Sequence, residues 1–184
     1  MKRFIICFIA VIVSVNLFSQ SAETLYARGA KEALKGNYEK AIVYFNRSIA
    51  LNPYLPETYY NRALAQSKLG DYLSAVVDYS RAIDLRPHFA MAYNNRGADK
   101  LELKDAEGAI RDYTKAIALD SGYVNAWFNR GVAYLNQKDY QKAISDFLRV
   151  INLEPGFTDA TNNMKIAYSE AIKNGLSPEI VYRP

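Results

Sequence analysis

Apolar and small residues recur along residues 22–157 in a pattern that repeats every 34 residues. The four units of this pattern begin at Ala22, Pro56, Ala90 and Val124. Position 20 is an alanine in every unit and position 24 is aromatic in every unit: Ala41, Ala75, Ala109 and Ala143, then Phe45, Tyr79, Tyr113 and Phe147. An unbroken period with small residues at fixed places indicates one helical hairpin that is copied and stacked. Stacked hairpins present an extended surface to a partner.

The fourth unit, residues 124–157, shows the predicted hairpin most plainly. Small and aromatic residues recur in its first half at three- and four-residue spacing, which is typical of one helix face: Ala126, Trp127, Gly131, Ala133 and Tyr134. Asp139 then follows a polar break and is placed to accept hydrogen bonds from the free amides of a second helix. That helix is predicted to end near Pro155, because proline disfavours helical backbone in the residue before it.

The other units carry the same signals at the same places. The residues equivalent to Asp139 are Asn37, Asp71 and Asp105, and all are good capping residues. Pro53 and Pro87 end the first two units, whereas Ser121 and Gly122 replace the proline in the third. Position 8 is small in every unit: Gly29, Ala63, Gly97 and Gly131. These small residues are predicted to lie opposite the position-20 alanines, since two helices approach closely only where side chains are small.

On these residues the sequence resembles the tetratricopeptide repeat family. The fourth unit reproduces the spacing of that family's pattern with Trp127, Gly131, Tyr134, Ala143, Phe147 and Pro155, while the third unit departs from it at Lys100, Ala106 and Ser121. The resemblance implies an all-α fold, a right-handed α-solenoid of four tetratricopeptide-type helical hairpins followed by a C-terminal capping helix. The implied repeat domain covers residues 22–174, with units 22–55, 56–89, 90–123 and 124–157, capping helix 158–174 and a tail at 175–184.

The first residues predict a targeting segment rather than part of the repeat domain. Lys2 and Arg3 precede an almost wholly apolar run from Phe4 to Phe18, and small polar residues follow it. This arrangement matches a signal peptide over residues 1–21. The run is shorter than the roughly 20 residues of a spanning helix, but a retained membrane anchor is the alternative. Cys7 is the one cysteine, and export without disulfides favours a bacterial periplasm or cell envelope, with secretion also possible.

Position 7 is an arginine in all four units: Arg28, Arg62, Arg96 and Arg130. One hypothesis is a row of cations that binds carboxylates or phosphates. The favoured hypothesis is internal pairing, because position 23 of the second, third and fourth units is an aspartate. The predicted pairs are Arg62 with Asp78, Arg96 with Asp112, and Arg130 with Asp146, since bidentate pairing suits a fixed contact between helices. The first unit has Tyr44 at position 23, which leaves Arg28 without that partner.

The resemblance also implies that the first helices line a concave face that binds a protein or peptide. Seven residues at positions 5 and 6 are the candidate partner-binding residues: Tyr26, Tyr60, Asn61, Asn94, Asn95, Phe128 and Asn129. Aromatic side chains supply large contact area at low entropic cost, and an asparagine amide bonds a peptide backbone in either direction. The alternative is that the aromatic residues only complete packing between helices, and the sequence leaves both interpretations open.

The residues offer no catalytic, metal or cofactor site. His88 is the one histidine, no cysteine follows Cys7, and no glycine-rich phosphate loop follows a strand. The net charge of +4 becomes +2 without Lys2 and Arg3, which gives no electrostatic basis for nucleic-acid binding. The sequence therefore predicts an exported, non-catalytic protein–protein interaction module that binds a peptide or partner helix on its concave face. The alternative is a membrane-anchored subunit of an envelope complex that recruits partners through its repeats.

Overall fold

The structure, a computed structural model, describes residues 21–175, and these residues form α-helices joined by short turns. The helices are α1 Ala22–Leu34, α2 Tyr38–Leu51, α3 Pro56–Lys68, α4 Tyr72–Leu85, α5 Ala90–Glu102, α6 Ala106–Leu119, α7 Val124–Asn136, α8 Tyr140–Leu153 and α9 Thr158–Lys173. The predicted all-α repeat solenoid is thus confirmed. The predicted signal peptide or anchor at 1–21 and the predicted tail at 175–184 fall outside the described residues, apart from Ser21 and Gly175.

Successive helices pack as antiparallel pairs, and the pairs stack in chain order. The first helices of neighbouring pairs (α1, α3, α5 and α7) also contact one another directly. Helices in the inner layer of a curved stack lie closer together than those in the outer layer, so these four helices line the concave side. Helix α9 packs against α8 and covers the end of the stack. None of the helices within residues 21–175 is long and apolar enough to cross a membrane.

The predicted start of the second helices is confirmed in all four units, while the capping hydrogen bond forms in three of them. Asp71, Asp105 and Asp139 each accept a hydrogen bond from the backbone N–H three residues later, at 3.2, 2.9 and 3.3 Å. Asn37 occupies the same place before α2 but makes no such bond. Its amide instead donates to the buried carboxylate of Glu32 at 2.9 Å. A charged acceptor forms the stronger hydrogen bond, which explains why Asn37 turns away from the helix.

The predicted ends of the second helices are confirmed. They end at Leu51, Leu85, Leu119 and Leu153, and in three of the four units a proline follows two residues later. In the third unit the side chain of Asp120 accepts a hydrogen bond from the backbone N–H of Gly122 at 3.0 Å. An aspartate that bonds the backbone two residues on mimics a turn, and this turn takes the place of the missing proline.

The glycines at position 8 lie closest to the aromatic ring at position 24, a contact that was not predicted from the sequence. A Cβ atom added to Gly131 would lie 2.8 Å from the ring of Phe147, and one added to Gly29 would lie 2.6 Å from the ring of Phe45. The same holds for Gly97, at 2.8 Å from the ring of Tyr113. The glycines therefore make room for the position-24 ring. Alternating small and large side chains across a helix pair allows close packing.

The turn between the two helices of each unit requires a left-handed backbone at position 15. Gly36 and Gly70 have φ angles of 81°, and Lys104 and Lys138 have φ angles of 66° and 62°. Glycine adopts this conformation at no steric cost, whereas a residue with a Cβ atom is strained by about 1–2 kcal/mol. The third and fourth units therefore hold a strained lysine where the first two hold glycine.

We expect Lys138→Gly to raise the free energy of unfolding by about 0.5–1 kcal/mol, because the relief of strain exceeds the entropic cost of glycine in the unfolded chain. Urea denaturation of the full chain measures this change. Lys115→Gly is the matched control, since Lys115 is an exposed lysine inside α6, and it should lower stability by about 0.5–1 kcal/mol. A loss of stability in both variants would show that the backbone at Lys138 is not strained.

Candidate functional site

The position-7 arginines of the second, third and fourth units form ion pairs with residues of the protein itself. Arg62, Arg96 and Arg130 each donate two hydrogen bonds to the aspartate at position 23 of their own unit, at 2.6–2.8 Å. The predicted pairs are therefore confirmed as bidentate ion pairs. The aspartate carboxylates are almost wholly enclosed, with Asp146 only 3% exposed. Burial raises the pKa of Asp146, and the hydrogen bonds from Arg130 oppose that shift.

Each arginine also reaches back to the preceding unit, a contact that the sequence analysis missed. The second terminal nitrogen of the guanidinium donates to position 25 of the previous second helix: Arg62 to Asn46, Arg96 to Ser80, and Arg130 to Thr114, at 2.6–3.0 Å. Every one of these three arginines thus joins two neighbouring hairpins. Arg28 is exposed and forms no ion pair or hydrogen bond with the described residues. The arginine row is therefore a structural feature.

A second row of hydrogen bonds joins the first helices on the concave side. The amide of Asn61 donates to the hydroxyl of Tyr26 at 3.2 Å, and the amide of Asn95 donates to the hydroxyl of Tyr60 at 2.9 Å. In the next unit the amide of Asn129 donates to the side-chain oxygen of Asn94 at 3.0 Å. Position 6 of each unit thus bonds position 5 of the unit before it. Six of the seven candidate binding residues hold neighbouring units together in this way.

The aromatic candidates also pack against the core. The ring of Tyr60 lies 4.7 Å from that of Phe89 and 5.7 Å from that of Tyr79. The ring of Phe128 lies 5.0 Å from that of Phe157. Tyr26 packs on Phe45, and all three candidates are half-buried. Packing between helices therefore accounts for much of their surface, while the remainder faces the concave side.

Two adjoining cavities lie among the first helices, and we call them the apolar pocket and the acidic pocket. The apolar pocket has a volume of about 310 Å³ and lies between α1 and α3, lined by Ala30, Ala33, Leu34, Tyr38, Asn61, Leu64, Ala65 and Lys68. The acidic pocket has a volume of about 280 Å³ and lies between α3 and α5, lined by Leu64, Ser67, Lys68, Tyr72, Tyr79, Asn95, Ala98, Asp99 and Glu102. Leu64 and Lys68 line both, so the two pockets adjoin, and together we call them the groove. Each is at the small end of ligand-binding cavities.

Asp99 differs from the other buried acidic residues of the described chain. Glu32 contacts two lysines, Asp78 and Asp146 each bind an arginine, and Asp112 binds both Arg96 and Lys100. Asp99 is only 5% exposed, yet it has no basic partner in residues 21–175. One of its oxygens accepts a hydrogen bond from Ser67 at 2.5 Å, and the other has no donor among these residues. Alanine occupies the equivalent place in the second and fourth units.

The pKa of Asp99 is raised, in keeping with its burial and its lack of a basic partner in residues 21–175. Burial raises the pKa of its carboxyl to about 6, and the nearby Glu102 adds to the shift while the Ser67 hydroxyl opposes it. Burial also raises the pKa of Tyr79, so its hydroxyl stays neutral. By contrast, hydrogen bonds from Lys35 and Asn37 lower the pKa of Glu32 to about 2. The carboxylate form of Asp99 therefore costs free energy near neutral pH, because nothing in the described chain neutralises it.

We expect Asp99→Asn to raise the free energy of unfolding by about 1–3 kcal/mol at pH 7. Between the ordinary pKa of 3.8 and about 6 the folded protein binds more protons than the unfolded chain, so the contribution of Asp99 to stability falls as pH rises through this window. The difference between variant and wild type should therefore shrink towards zero below about pH 4. Urea denaturation at several pH values measures it.

Asp84→Asn is the matched control, since Asp84 is an exposed aspartate on α4. It should change stability by less than about 0.5 kcal/mol at every pH. A wild-type protein that stays more stable than Asp99→Asn at pH 7 would show that the carboxylate is favourably bound in the free protein.

The pockets include only part of the set of binding residues predicted from the sequence. Asn61 lines the apolar pocket and Asn95 lines the acidic pocket. Tyr26, Tyr60, Asn94, Phe128 and Asn129 line neither. Asp99 was not among the predicted binding residues, and its one signal in the sequence is an acid at a position where neighbouring units hold alanine. No group of three or more residues among 21–175 is placed to hold a metal ion, and His88 lies exposed in a turn.

Comparisons with known proteins agree with this geometry. The family model described as tetratricopeptide repeat matches residues 56–89 and 124–157, and the one described as TPR repeat matches residues 29–70 and 100–138. No similar protein was found among curated sequences.

Several solved structures have the same fold. The crystal structure of MamA protein is 25% identical, with a TM-score of 0.78, over 87% of this chain and 86% of that chain. MamA 41-end from Desulfovibrio magneticus RS-1 is 22% identical, with a TM-score of 0.73, over 84% and 93% of the two chains. YrrB, a TPR protein, is 17% identical, with a TM-score of 0.76, over 92% and 87%.

The stacked hairpins, the matched repeats and the neighbouring structures lead to one assignment. Repeats of this kind form protein–protein interaction modules, and such folds are generally non-catalytic scaffolds. In its repeat sequence and in its fold, the chain belongs to the tetratricopeptide repeat family.

Proposed function

We propose that this protein is an exported, non-catalytic adaptor that binds an extended segment of another protein along its concave face. The observation that carries the proposal is the groove, the two adjoining apolar and acidic pockets between α1, α3 and α5. Each pocket has the size for one or two side chains rather than for a cofactor. A groove that presents separate side-chain sites along a helical surface suits a peptide with its side chains directed inward.

The exposed apolar surface supports the same proposal. Leu34 is 90% exposed at the edge of the apolar pocket. An exposed leucine beside an apolar cavity is a favourable contact for a partner, because covering it removes apolar surface from water. YrrB, which shares this fold, is described as having an unusual peptide-binding site. That description gives a precedent for peptide recognition by a repeat stack of this size.

The candidate residues from the sequence divide into two roles under this proposal. Asn61 and Asn95 contribute to the groove wall, and the side-chain oxygen of Asn61 has no donor among the described residues, so it can accept a hydrogen bond from a peptide N–H. Binding by Tyr26, Tyr60, Asn94, Phe128 and Asn129 stays a prediction. Four of them, Tyr26, Tyr60, Asn94 and Asn129, also form hydrogen bonds between neighbouring units, and Phe128 packs on Phe157.

Site-specific photocrosslinking tests the face that binds. A photoreactive amino acid is placed at Leu34 beside the apolar pocket and, as the matched control, at Leu73, which is 69% exposed on the second helix α4. We expect crosslinks to a partner in native cells from position 34 and none from position 73. Crosslinks of equal yield from both positions, or from position 73 alone, would contradict binding on the concave face.

The proposed location rests on the N-terminal segment of the sequence. Export to a bacterial periplasm or envelope follows from the basic start and the apolar run at residues 4–18. The second candidate is an anchored subunit, in which the same run stays in the membrane and the repeats recruit partners there. N-terminal sequencing of the mature protein separates the two, because an intact Met1 start would contradict cleavage and favour the anchor.

A further inference from the structure

We propose that the groove is specific for a segment that carries a lysine or arginine next to an apolar residue, with the cationic side chain in the acidic pocket. This inference rests on the proposed function and adds the chemistry of the partner. Asp99 and Glu102 would bind the cation, and Leu34 and Leu64 would contact the apolar side chain in the neighbouring pocket.

The absence of a counterion for Asp99 is the first argument. Each of the other buried acidic residues in the described chain contacts at least one lysine or arginine at 3.4 Å or less. An isolated buried carboxylate destabilises a fold, so such a group is typical of a site that a ligand completes. Asp99 and Glu102 both line the acidic pocket, and neither forms an ion pair within residues 21–175. Two acids without internal cations therefore give this pocket a negative potential.

The neutral groups around Asp99 are the second argument. The Ser67 hydroxyl already donates to Asp99, and the neutral side chains of Tyr72 and Tyr79 also line the pocket. A lysine ammonium or an arginine guanidinium that enters such a site loses water but gains charge-assisted hydrogen bonds. A carboxylate or phosphate would instead meet two like charges, so acidic segments should be rejected.

Lys68 is the one basic residue that lines both pockets, and it does not neutralise Asp99. It is exposed and forms no ion pair with Asp99 or Glu102 in residues 21–175. Because Lys68 lines the acidic pocket, its positive charge weakens the attraction for an incoming cation. Lys68→Gln should therefore tighten the binding of a basic segment, which is the opposite of what the loss of a contact residue would do.

The neighbouring apolar pocket requires that the bound segment also carry an apolar side chain. Leu64 separates the two cavities and lines both, so side chains in the two pockets belong to nearby residues of one segment. Leu34 at the edge gains most from being covered, because it is almost wholly exposed. Burial of an apolar side chain against these residues contributes affinity, while the acidic pocket contributes specificity.

A peptide library tests this inference with the purified full chain in mild detergent. The probes are acetylated and amidated peptides in which one apolar residue and one lysine, arginine, norleucine, citrulline or glutamate stand one to four residues apart. We expect the tightest binders to contain lysine or arginine. For these peptides the affinity should fall about 30-fold or more in Asp99→Asn/Glu102→Gln and rise a few-fold in Lys68→Gln. Leu34→Ser should remove the preference for the apolar residue, while Leu73→Ser, on the second helix α4, should not.

Three outcomes overturn the inference, and they separate it from the proposed function. If neutral or acidic peptides bind best but Leu34→Ser weakens them, the groove binds peptides without this specificity, and the proposed function stands. If basic peptides bind equally well to Asp99→Asn/Glu102→Gln, their binding is not in the acidic pocket. If no peptide binds and crosslinking also finds no partner at position 34, both proposals fail. Because Asp99→Asn is expected to stabilise the fold, weaker binding by the double variant would not be explained by unfolding, and circular dichroism checks this.

Discussion

Replacing Arg130 with alanine is expected to lower the free energy of unfolding by about 3–5 kcal/mol, because the change leaves a buried carboxylate without its counterion. Arg130 donates two hydrogen bonds to Asp146 at 2.8 Å and a third to Thr114 at 3.0 Å. Its guanidinium also lies 4.9 Å from the centre of the Trp127 ring. The variant thus loses an ion pair inside the fourth unit, a bond to the third unit and a stacking contact. Urea denaturation of the full chain, followed by far-UV circular dichroism, measures the loss.

Arg28→Ala is the matched control for this prediction. Arg28 occupies the same position of the repeat, but it is exposed and has no described partner. Its replacement should change stability by less than about 0.5 kcal/mol. The variant Arg130→Met/Asp146→Leu should be more stable than Arg130→Ala, since it removes the unpaired charge as well. Equal losses in Arg28→Ala and Arg130→Ala would show that the pairing contributes nothing.

Phe147→Ala is expected to cost about 3–5 kcal/mol of stability, because it opens a cavity in the fully enclosed core of the last unit. The side chain of Phe147 is 0% exposed, and its ring contacts Gly131 of α7 and Phe128 of the concave layer. The same denaturation experiment measures the effect. Ile166→Ala is the control, since Ile166 is 52% exposed on α9, and it should change stability by less than about 1 kcal/mol.

The contact between Phe147 and Gly131 gives this prediction a second measurement. Gly131→Ala alone should cost about 1–3 kcal/mol, because its Cβ atom would lie 2.8 Å from the Phe147 ring. In the Phe147→Ala background that ring is absent, so Gly131→Ala should be neutral or stabilising. The two changes should therefore be strongly non-additive. Additive losses would show that the cost of Gly131→Ala does not come from its contact with the Phe147 ring.

The two rows of polar contacts explain how the stack keeps its shape while its groove varies. Arginines bind the second helices of successive units, and asparagines bind the first helices. Both rows repeat with the 34-residue period, so they impose the same geometry on every junction. The groove residues Leu34, Ser67, Asp99 and Glu102 follow no such period.

Local sequence signals were sufficient to predict where the helices begin and end and how they are ordered along the chain. Capping aspartates, the helix-ending prolines and the three- and four-residue spacing act within one hairpin, so each can be identified from neighbouring residues. The pairs between positions 7 and 23 were also predictable, because both positions recur with opposite charge in three units. Asn37 was the exception, since a buried glutamate in the preceding helix competes for its amide.

The contacts between hairpins and the two pockets depend on how the units stack, which the sequence did not predict. The reach of each arginine into the previous unit, the bonds between positions 5 and 6 and the two pockets all join residues from different hairpins. Their distances depend on the angle between hairpins, which no local pattern specifies. Asp99 shows the difference most clearly: its place in the repeat was known, but its burial and its lack of a cation depend on which side chains α3, α4 and α5 bring together. The repeat period follows from the sequence, whereas the pocket chemistry appears only where three-dimensional packing places separate helices side by side.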